Sequence, residues 1–184
     1  MTDLKLIIEG CKKNRREAQE KLYDLLASKL FYVCLRYSRD REEAKDLVQE
    51  SFIKIFQHIG SFSGEGSFEG WCKRITINTS LSYIRSKFFQ HSIGMEDVET
   101  VKEEKQAFYS DNIELNEVLN MLNFLTMQKK IIFTLYEIEG YSHSEIGEML
   151  HITEGASRGQ LAKAKEDLRQ LHHKMNRTAE IRNS

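Results

Sequence analysis

The chain has 184 residues, 27 of them Lys or Arg and 28 Asp or Glu, and a formal net charge of -1. That length holds one medium domain or two small ones, and the near-neutral balance excludes a wholly basic nucleic-acid coat protein. The absence of proline, with only ten glycines, favours an all-α protein, because helix interiors exclude proline most strongly.

The N-terminal stretch MTDLKLIIEGCKKNRREAQ carries charge inside its apolar run, unlike a secretory signal. No apolar run approaches membrane-spanning length. Leu22, Leu25, Leu26, Leu30, Phe31, Val33 and Cys34 recur at helical spacing. Leu47, Val48, Phe52, Ile55, Phe56 and Ile59 do so again behind Asp40, which suits an N-cap. On that second helix Asp46, Gln49, Glu50, Ile53 and Gln57 share the opposite face. An acidic face with one exposed isoleucine is what docking against a basic helical partner requires; its plainer reading is solvated surface. The three cysteines, Cys11, Cys34 and Cys72, form no CxxC pair, so reduced cytosolic thiols are expected rather than a zinc knuckle or disulfide framework.

GSFSGEGS, residues 60–67, breaks the periodicity and predicts a loop. Ser67 is placed to cap the next helix, whose apolar positions are Phe68, Trp71, Cys72, Ile75, Ile77, Leu81 and Ile84. That helix also carries Lys73, Arg74, Arg85 and Lys87, with Asn78, Thr79, Ser80 and Ser82 as hydrogen-bonding groups. Cations and the aromatics Phe62, Phe68 and Trp71 beside a glycine-containing loop suit single-stranded nucleic acid, whose unstacked bases lie on rings or in pockets. Phe68 and Trp71 also read simply as core aromatics, the stronger reading for Trp71.

Periodicity fades over residues 90–112, which predicts a linker; the alternative is an acidic helix packed on one domain. It resumes with Leu115, Val118, Leu119 and Leu122, then Ile131, Ile132, Leu135 and Ile138 in a helix over 128–138 that ends at Gly140. The stretch YSHSEIGEMLHITEGASRGQLAKAKEDL follows. Ser142 and Glu145 form a capping box, and Ile146, Met149 and Leu150 point inward. His151 and Ile152 make the turn, and Thr153 caps a second helix running to Leu168. Glu154 in its first turn complements the helix dipole. With the preceding helix as third wall, this is a helix-turn-helix. Gly155, Ala156, Ser157, Arg158, Gly159 and Gln160 are small, polar or cationic, so close approach to a major groove is open. Arg158 suits guanine and Gln160 adenine, while Lys163, Lys165 and Arg169 suit phosphates. A solvated helix face on a plain bundle is the competing reading.

With both halves read, the chain resembles an RNA polymerase sigma factor of the extracytoplasmic-function group. REEAKDLVQESFIKIFQHIGSFSGEGSFEGWCKRITINTSLSYIRSK (41–87) resembles sigma region two, and LTMQKKIIFTLYEIEGYSHSEIGEMLHITEGASRGQLAKAKEDLRQL (125–171) resembles sigma region four. The resemblance implies an all-α chain of two small helical domains: region two over 1–89, a linker over 90–112, region four over 113–175 and a tail over 176–184. It implies that Asp46, Gln49, Glu50 and Ile53 dock on core RNA polymerase. It implies that Ser61, Phe62, Ser63, Gly64, Glu65 and Ser67 hold a base flipped from the minus-ten element, with Lys73, Arg74 and Asn78 steadying the opened strand. Thr153, Ser157, Arg158, Gly159, Gln160, Ala162, Lys163 and Lys165 then form the minus-thirty-five reader. Promoter DNA and core polymerase are the implied partners, with an anti-sigma factor as a third. The usual Leu-Pro at the start of region four is Leu125-Thr126 here, where threonine can still cap a helix. Gly159 and Ala162 are small where many relatives carry larger contacts, so the promoter sequence cannot be carried over.

Enzyme readings fare poorly. GEGSFEG (64–70) has the wrong spacing for a nucleotide loop and no strand before it. His143 and His151 are eight residues apart, not the metal-binding spacing of one helical turn. No catalytic residue, metal or cofactor is expected. The alternatives to a sigma factor are a stand-alone helix-turn-helix regulator and a helical adaptor that binds only protein.

Overall fold

The computed structural model describes residues 4–91 and 113–182, so the expected linker falls almost wholly outside the described residues. The chain divides into two compact units, Met1–Glu96 and Asp97–Ser184. Helices and turns account for both, with no strand among the described residues.

The first unit contains α1 (Leu4–Lys12), α2 (Arg16–Leu35), α3 (Arg41–His58), a 3₁₀ turn (Ile59–Ser61) and α4 (Phe68–His91). Helices α2, α3 and α4 pack on one another, and α1 lies on α2 and the 3₁₀ turn. Leu22, Leu26, Leu30, Leu47, Phe52, Ile55, Ile77 and Leu81 fill the centre. Asp40 caps α3, accepting the Glu43 amide at 2.8 Å. The sequence reading assigned no helix to residues 4–12, yet Ile7, Ile8 and Cys11 are buried on one face of α1.

Small polar residues are buried in α3 and α4. The hydroxyls of Ser51, Thr76, Thr79 and Ser80 donate to carbonyls one turn back, at 2.6, 3.0, 2.8 and 3.0 Å. Each buried hydroxyl is thereby satisfied within its own helix. Thr79 and Ser80, expected to offer hydrogen bonds to nucleic acid, are instead core residues at 3% and 0% exposure. All three cysteines are free and buried. Burial pushes the Cys34 thiol up to about 12. Cys72 is also pushed up to about 12, by burial first and then by the neighbouring Glu69 and Cys11.

The second unit contains α5 (Ile113–Leu122), α6 (Met127–Phe133), a π turn (Thr134–Ile138), α7 (His143–Leu150) and α8 (Glu154–Arg182). Leu119, Leu122, Leu125, Ile132, Leu135, Ile146, Leu161 and Ala164 form its core. Thr126 stands at the N-cap of α6, but its side chain makes no capping bond. The single helix expected over 128–138 widens after Phe133, where the Glu139 amide donates to the Thr134 carbonyl at 3.0 Å. Over five residues the periods of α and π turns differ too little to separate in an apolar pattern. Helix α8 runs on past Leu168, through the expected tail, because RQLHHKMNRTAEIR contains no glycine or proline to stop it.

Candidate nucleic-acid and docking interfaces

Asp46, Gln49, Glu50 and Ile53 are all exposed on one face of α3. Ile53 is 52% exposed, an apolar centre in an acidic and amide surround. Glu50 pairs with Lys54 one turn on, at 3.5 Å. The pair is exposed and holds little energy against a competing cation. The opposite face carries Leu47, Val48, Phe52 and Ile55 into the core, so the stripe's orientation is set by burial of its reverse side.

The loop after the 3₁₀ turn stands on an aromatic base. Phe62 packs edge-on against Phe68 at 5.0 Å and against Trp71 at 5.6 Å, and Phe68 stacks on Trp71 at 5.7 Å. Phe62 was expected among the DNA-facing residues; it is only 9% exposed and anchors the loop from below. Its alternating position between exposed serines hides this in the sequence, because its partners belong to the next helix. The other loop residues, Ser61, Ser63, Gly64, Glu65 and Ser67, are exposed. Serine hydroxyls shape the loop locally: Ser61 donates to the His58 carbonyl at 2.7 Å, and Ser63 accepts from the Glu65 amide at 3.3 Å. Ser67 caps α4 by accepting from the Gly70 amide at 3.1 Å. Gly64 and Gly66 take φ of 87° and 75°, a region that L side chains avoid. The result is a pre-shaped rim with open backbone at its tip. Arg74 and Asn78 are exposed one turn apart along α4, with Lys73 half-buried beside them.

In the second unit the helix-turn-helix is over-determined. Ser142 accepts from the Glu145 amide while the Glu145 carboxylate accepts from the Ser142 amide at 2.8 Å, a complete capping box. His151 turns the chain in the left-handed region, at φ 57° and ψ 42°. A Cβ on Gly147 would lie 2.8 Å from the Ile152 carbonyl oxygen, so the turn closes directly over this glycine. Thr153 caps α8, accepting from the Ala156 amide at 3.1 Å.

Ser157 was expected to face DNA. It is fully buried, with its Oγ 2.9 Å from His143 Nδ1, and His143 stacks on Tyr136 at 4.3 Å. The chain of contacts from the π turn through α7 into α8 fixes the rotation of α8. His143 and Tyr136 are thus positioning residues that the sequence reading missed. No local spacing signals a contact between residues so far apart in the chain. Two ion pairs add to the clamp, Lys129–Asp167 and Lys165–Glu137, each at 2.6 Å. Lys165, expected at a phosphate, is therefore engaged with the π turn, and Arg169 pairs with Glu166 at 3.1 Å. Hydrogen bonds from Gln170 and then Arg169 hold the Glu166 carboxyl below the usual carboxylate range.

What α8 presents outward is Thr153, Gly155, Ala156, Arg158, Gly159, Ala162 and Lys163, all exposed, with Gln160 half-buried. A Cβ on Gly155 or Gly159 would meet nothing within 4 Å, so the face is open. Arg158 is paired with Glu154 on the same helix. No cluster of side chains able to hold a metal occurs among the described residues, and no described helix is long and apolar enough to cross a membrane.

A helix-turn-helix with an open outward face on one unit, together with a separate all-helical unit, is the architecture of a DNA-binding protein of two modules. The Sigma-70 region 2 family model matches residues 22–88 and the Sigma-70 region 4 model matches residues 115–168. Together they span more than half of the chain, which belongs to the sigma-70 family, in its extracytoplasmic-function group. It is a promoter-specificity factor for transcription initiation. Among its relatives, the RNA polymerase sigma-H factor of Pseudomonas aeruginosa is 26% identical, over 87% of this chain and 89% of that protein. The ECF RNA polymerase sigma-E factor of Haemophilus influenzae is 29% identical, over 82% and 87%. The fold is shared with RpoE of Bartonella quintana, solved with the anti-sigma factor NepR. That match has a TM-score of 0.52 and 20% identity, and covers 84% of this chain and 96% of that one. CnrH, solved with the cytosolic domain of CnrY, matches with a TM-score of 0.50 and 18% identity, over 91% and 96%.

Proposed function

We propose that the chain works in the cytoplasm, docks on core RNA polymerase through Asp46, Gln49, Glu50 and Ile53, and selects promoters by two separate contacts. The exposed face of α8 reads the upstream, minus-thirty-five element. Arg158 is the guanine reader, and Lys163 contacts phosphate. Thr153, Gly159 and Ala162 let α8 approach the groove, and Gln160 reads an adjacent base. Ser157 and Lys165 act behind that face, holding its angle.

The loop over residues 61–67 receives a base flipped from the minus-ten element. Unstacking costs a few kcal/mol per base; the open backbone of residues 63–66 and the shaped rim offset it. Phe62 supports that rim. Arg74 and Asn78, with Lys73, steady the strand backbone. The chain itself makes and breaks no covalent bond and needs no cofactor. Residues 1–89 act as the region-two module and residues 113–175 as the region-four module, joined by the intervening segment. An anti-sigma factor is the third partner, as in the complex of RpoE with NepR, whose sigma-factor fold this chain shares.

The observation that carries the reading is the pre-shaped loop on its aromatic base, which a plain helix-turn-helix regulator has no use for. The test is run-off transcription with core polymerase plus this chain, on genomic segments that co-purify with a tagged copy. Initiation at discrete sites only when the chain is present is the expected result. Identical initiation without it overturns the proposal.

A further inference from the structure

The most concentrated positive charge in the first unit lies outside every contact assigned above. The turn between α1 and α2 reads Lys12, Lys13, Asn14, Arg15, Arg16, four cations in five exposed residues. Lys12 pairs with Glu9 at 3.2 Å and Arg16 with Glu20 at 2.9 Å. Lys13 and Arg15 carry no ion pair among the described residues.

The turn is rigid. Asn14 sits in the left-handed region at φ 53°. The Arg15 amide donates to the Gly10 carbonyl at 3.0 Å and the Asn14 amide to the Cys11 carbonyl at 2.9 Å. This is the doubled bond pattern that closes a helix C-terminus. Below it α1 and α2 cross in close contact, since a Cβ on Gly10 would lie 2.5 Å from that of Ala18. The turn is also well placed. Helix α1 packs against Ile59–Ser61, the turn that opens into the loop. Cys11, one residue before the basic run, neighbours Cys72 at the start of α4. Two cations without an ion pair among the described residues are thus held on a fixed support, at the end of the helix that packs on the turn opening into the loop.

We propose that Lys13 and Arg15 form a phosphate-binding site for the promoter strand held by the loop, extending the region-two contact by two backbone phosphates. This rests on the promoter-opening reading above. A long, flexible lysine or arginine suits phosphate as a charge partner without reading sequence, so the contact adds affinity at every promoter alike. A protein partner is the competing occupant, but four cations outnumber the three acidic groups on hand, Glu9, Glu17 and Glu20, and Glu9 and Glu20 already answer neighbouring cations, which leaves an excess suited to a polyanion.

The test uses holoenzyme and a fluorescent fork-junction DNA cut from a genomic segment recovered with the tagged chain, single-stranded from the flipped base onward. Each single-strand phosphate contact contributes about 0.7 to the slope of log K against log salt. Replacing both residues (K13Q/R15Q) is expected to lower that slope by about 1.4, which weakens binding about 25-fold at 0.1 M salt and hardly at all at 1 M. The charge-keeping variant K13R/R15K is expected to retain the wild-type slope. An unchanged slope in K13Q/R15Q, with wild-type holoenzyme binding normally, overturns the inference and leaves the promoter-opening reading intact. Weakened core polymerase affinity in K13Q/R15Q makes the turn a protein contact and also overturns it. Wild-type holoenzyme that does not bind the fork overturns the underlying reading and this inference together.

Discussion

The buried His143–Ser157 pair ties α7 to the recognition helix, and its removal has a calculable consequence. Ser157 is fully buried, His143 is 8% exposed, and their polar atoms lie 2.9 Å apart. Ser157→Ala takes away one small oxygen, so it leaves almost no cavity. It does leave the buried imidazole Nδ1 without that partner. The cost of one unsatisfied buried group is about 1–3 kcal/mol. For a unit of this size about 1 kcal/mol moves the midpoint of unfolding by roughly 4–8 °C, so the second unit's transition is expected to fall by about 5–20 °C. His143→Phe keeps the stack on Tyr136. Combined with Ser157→Ala it removes both polar partners, which is close to neutral when shape is kept. The double variant is therefore expected to be more stable than the sum of the two single losses, a non-additive cycle. Calorimetry of the full chain measures all four corners. A Ser157→Ala midpoint within about 1 °C of wild type, or strict additivity, would refute the assignment of the pair as the clamp on α8.

Charge reversal at both Asp46 and Glu50 (D46K/E50K) is expected to weaken core polymerase binding about 10- to 100-fold without moving the melting midpoint; unchanged affinity in a pull-down titration removes the docking face. Arg158→Ala is expected to cost about 1–3 kcal/mol of upstream-element selectivity, read by competition binding between recovered and scrambled segments. His151→Gly relieves a non-glycine residue held at φ 57° and is expected to raise the second unit's midpoint. The gain is about 0.5–1 kcal/mol after the larger unfolded-state entropy of glycine is subtracted, and a lower midpoint would contradict it. Cys34 and Cys72, pushed up to about 12 by burial, stay protonated in the fold well above the pH at which unfolded thiols ionise. Their contribution is full below about pH 8.5 and is lost as pH rises from there towards 12, because only the unfolded state releases those protons in that window. Iodoacetamide at pH 8 is accordingly expected to label neither thiol in the folded chain and both after denaturation.

Much of the scaffold was legible because it rests on short-range rules. The Asp40 cap, the Ser142–Glu145 box, the His151 turn and the Thr153 cap are each written within a few consecutive residues, and each has the expected geometry. The exposed stripe on α3 follows from period alone. What escaped was non-local. Phe62 and Ser157 look like surface residues when only their neighbours in the chain are considered. One is claimed by Phe68 and Trp71 from the next helix, the other by His143 from the preceding one. Thr79 and Ser80 misled for a related reason, since a hydroxyl that bonds one turn back is compatible with a core position. Helix α1 was missed because its charged residues interrupt a short apolar run that is too brief to show a period.

The same division between local and non-local contacts bears on how selectivity arises. Each contact assigned to DNA sits on a rigid support built from buried, distant partners: the loop on its aromatic base, α8 on the His143 clamp. Rigidity lowers the ordering cost of binding, but α8 presents few cations outside internal ion pairs. Arg158 is tied to Glu154, Lys165 to Glu137 and Arg169 to Glu166, which leaves few free charges for phosphates on α8. A surface so economical in charge binds random DNA weakly at physiological salt, because non-specific affinity is set by the number of phosphates neutralised. Tight binding then requires both units to engage one duplex at a spacing fixed from outside the chain, where effective concentration multiplies two weak affinities. If the internal carboxylates enforce that weakness, Glu154→Gln should free Arg158 and raise binding to random duplex in the absence of polymerase. A gel-shift titration at 0.1 M salt measures it. Equal affinity in variant and parent would mean that the Glu154 pairing plays no part in keeping the free chain off DNA.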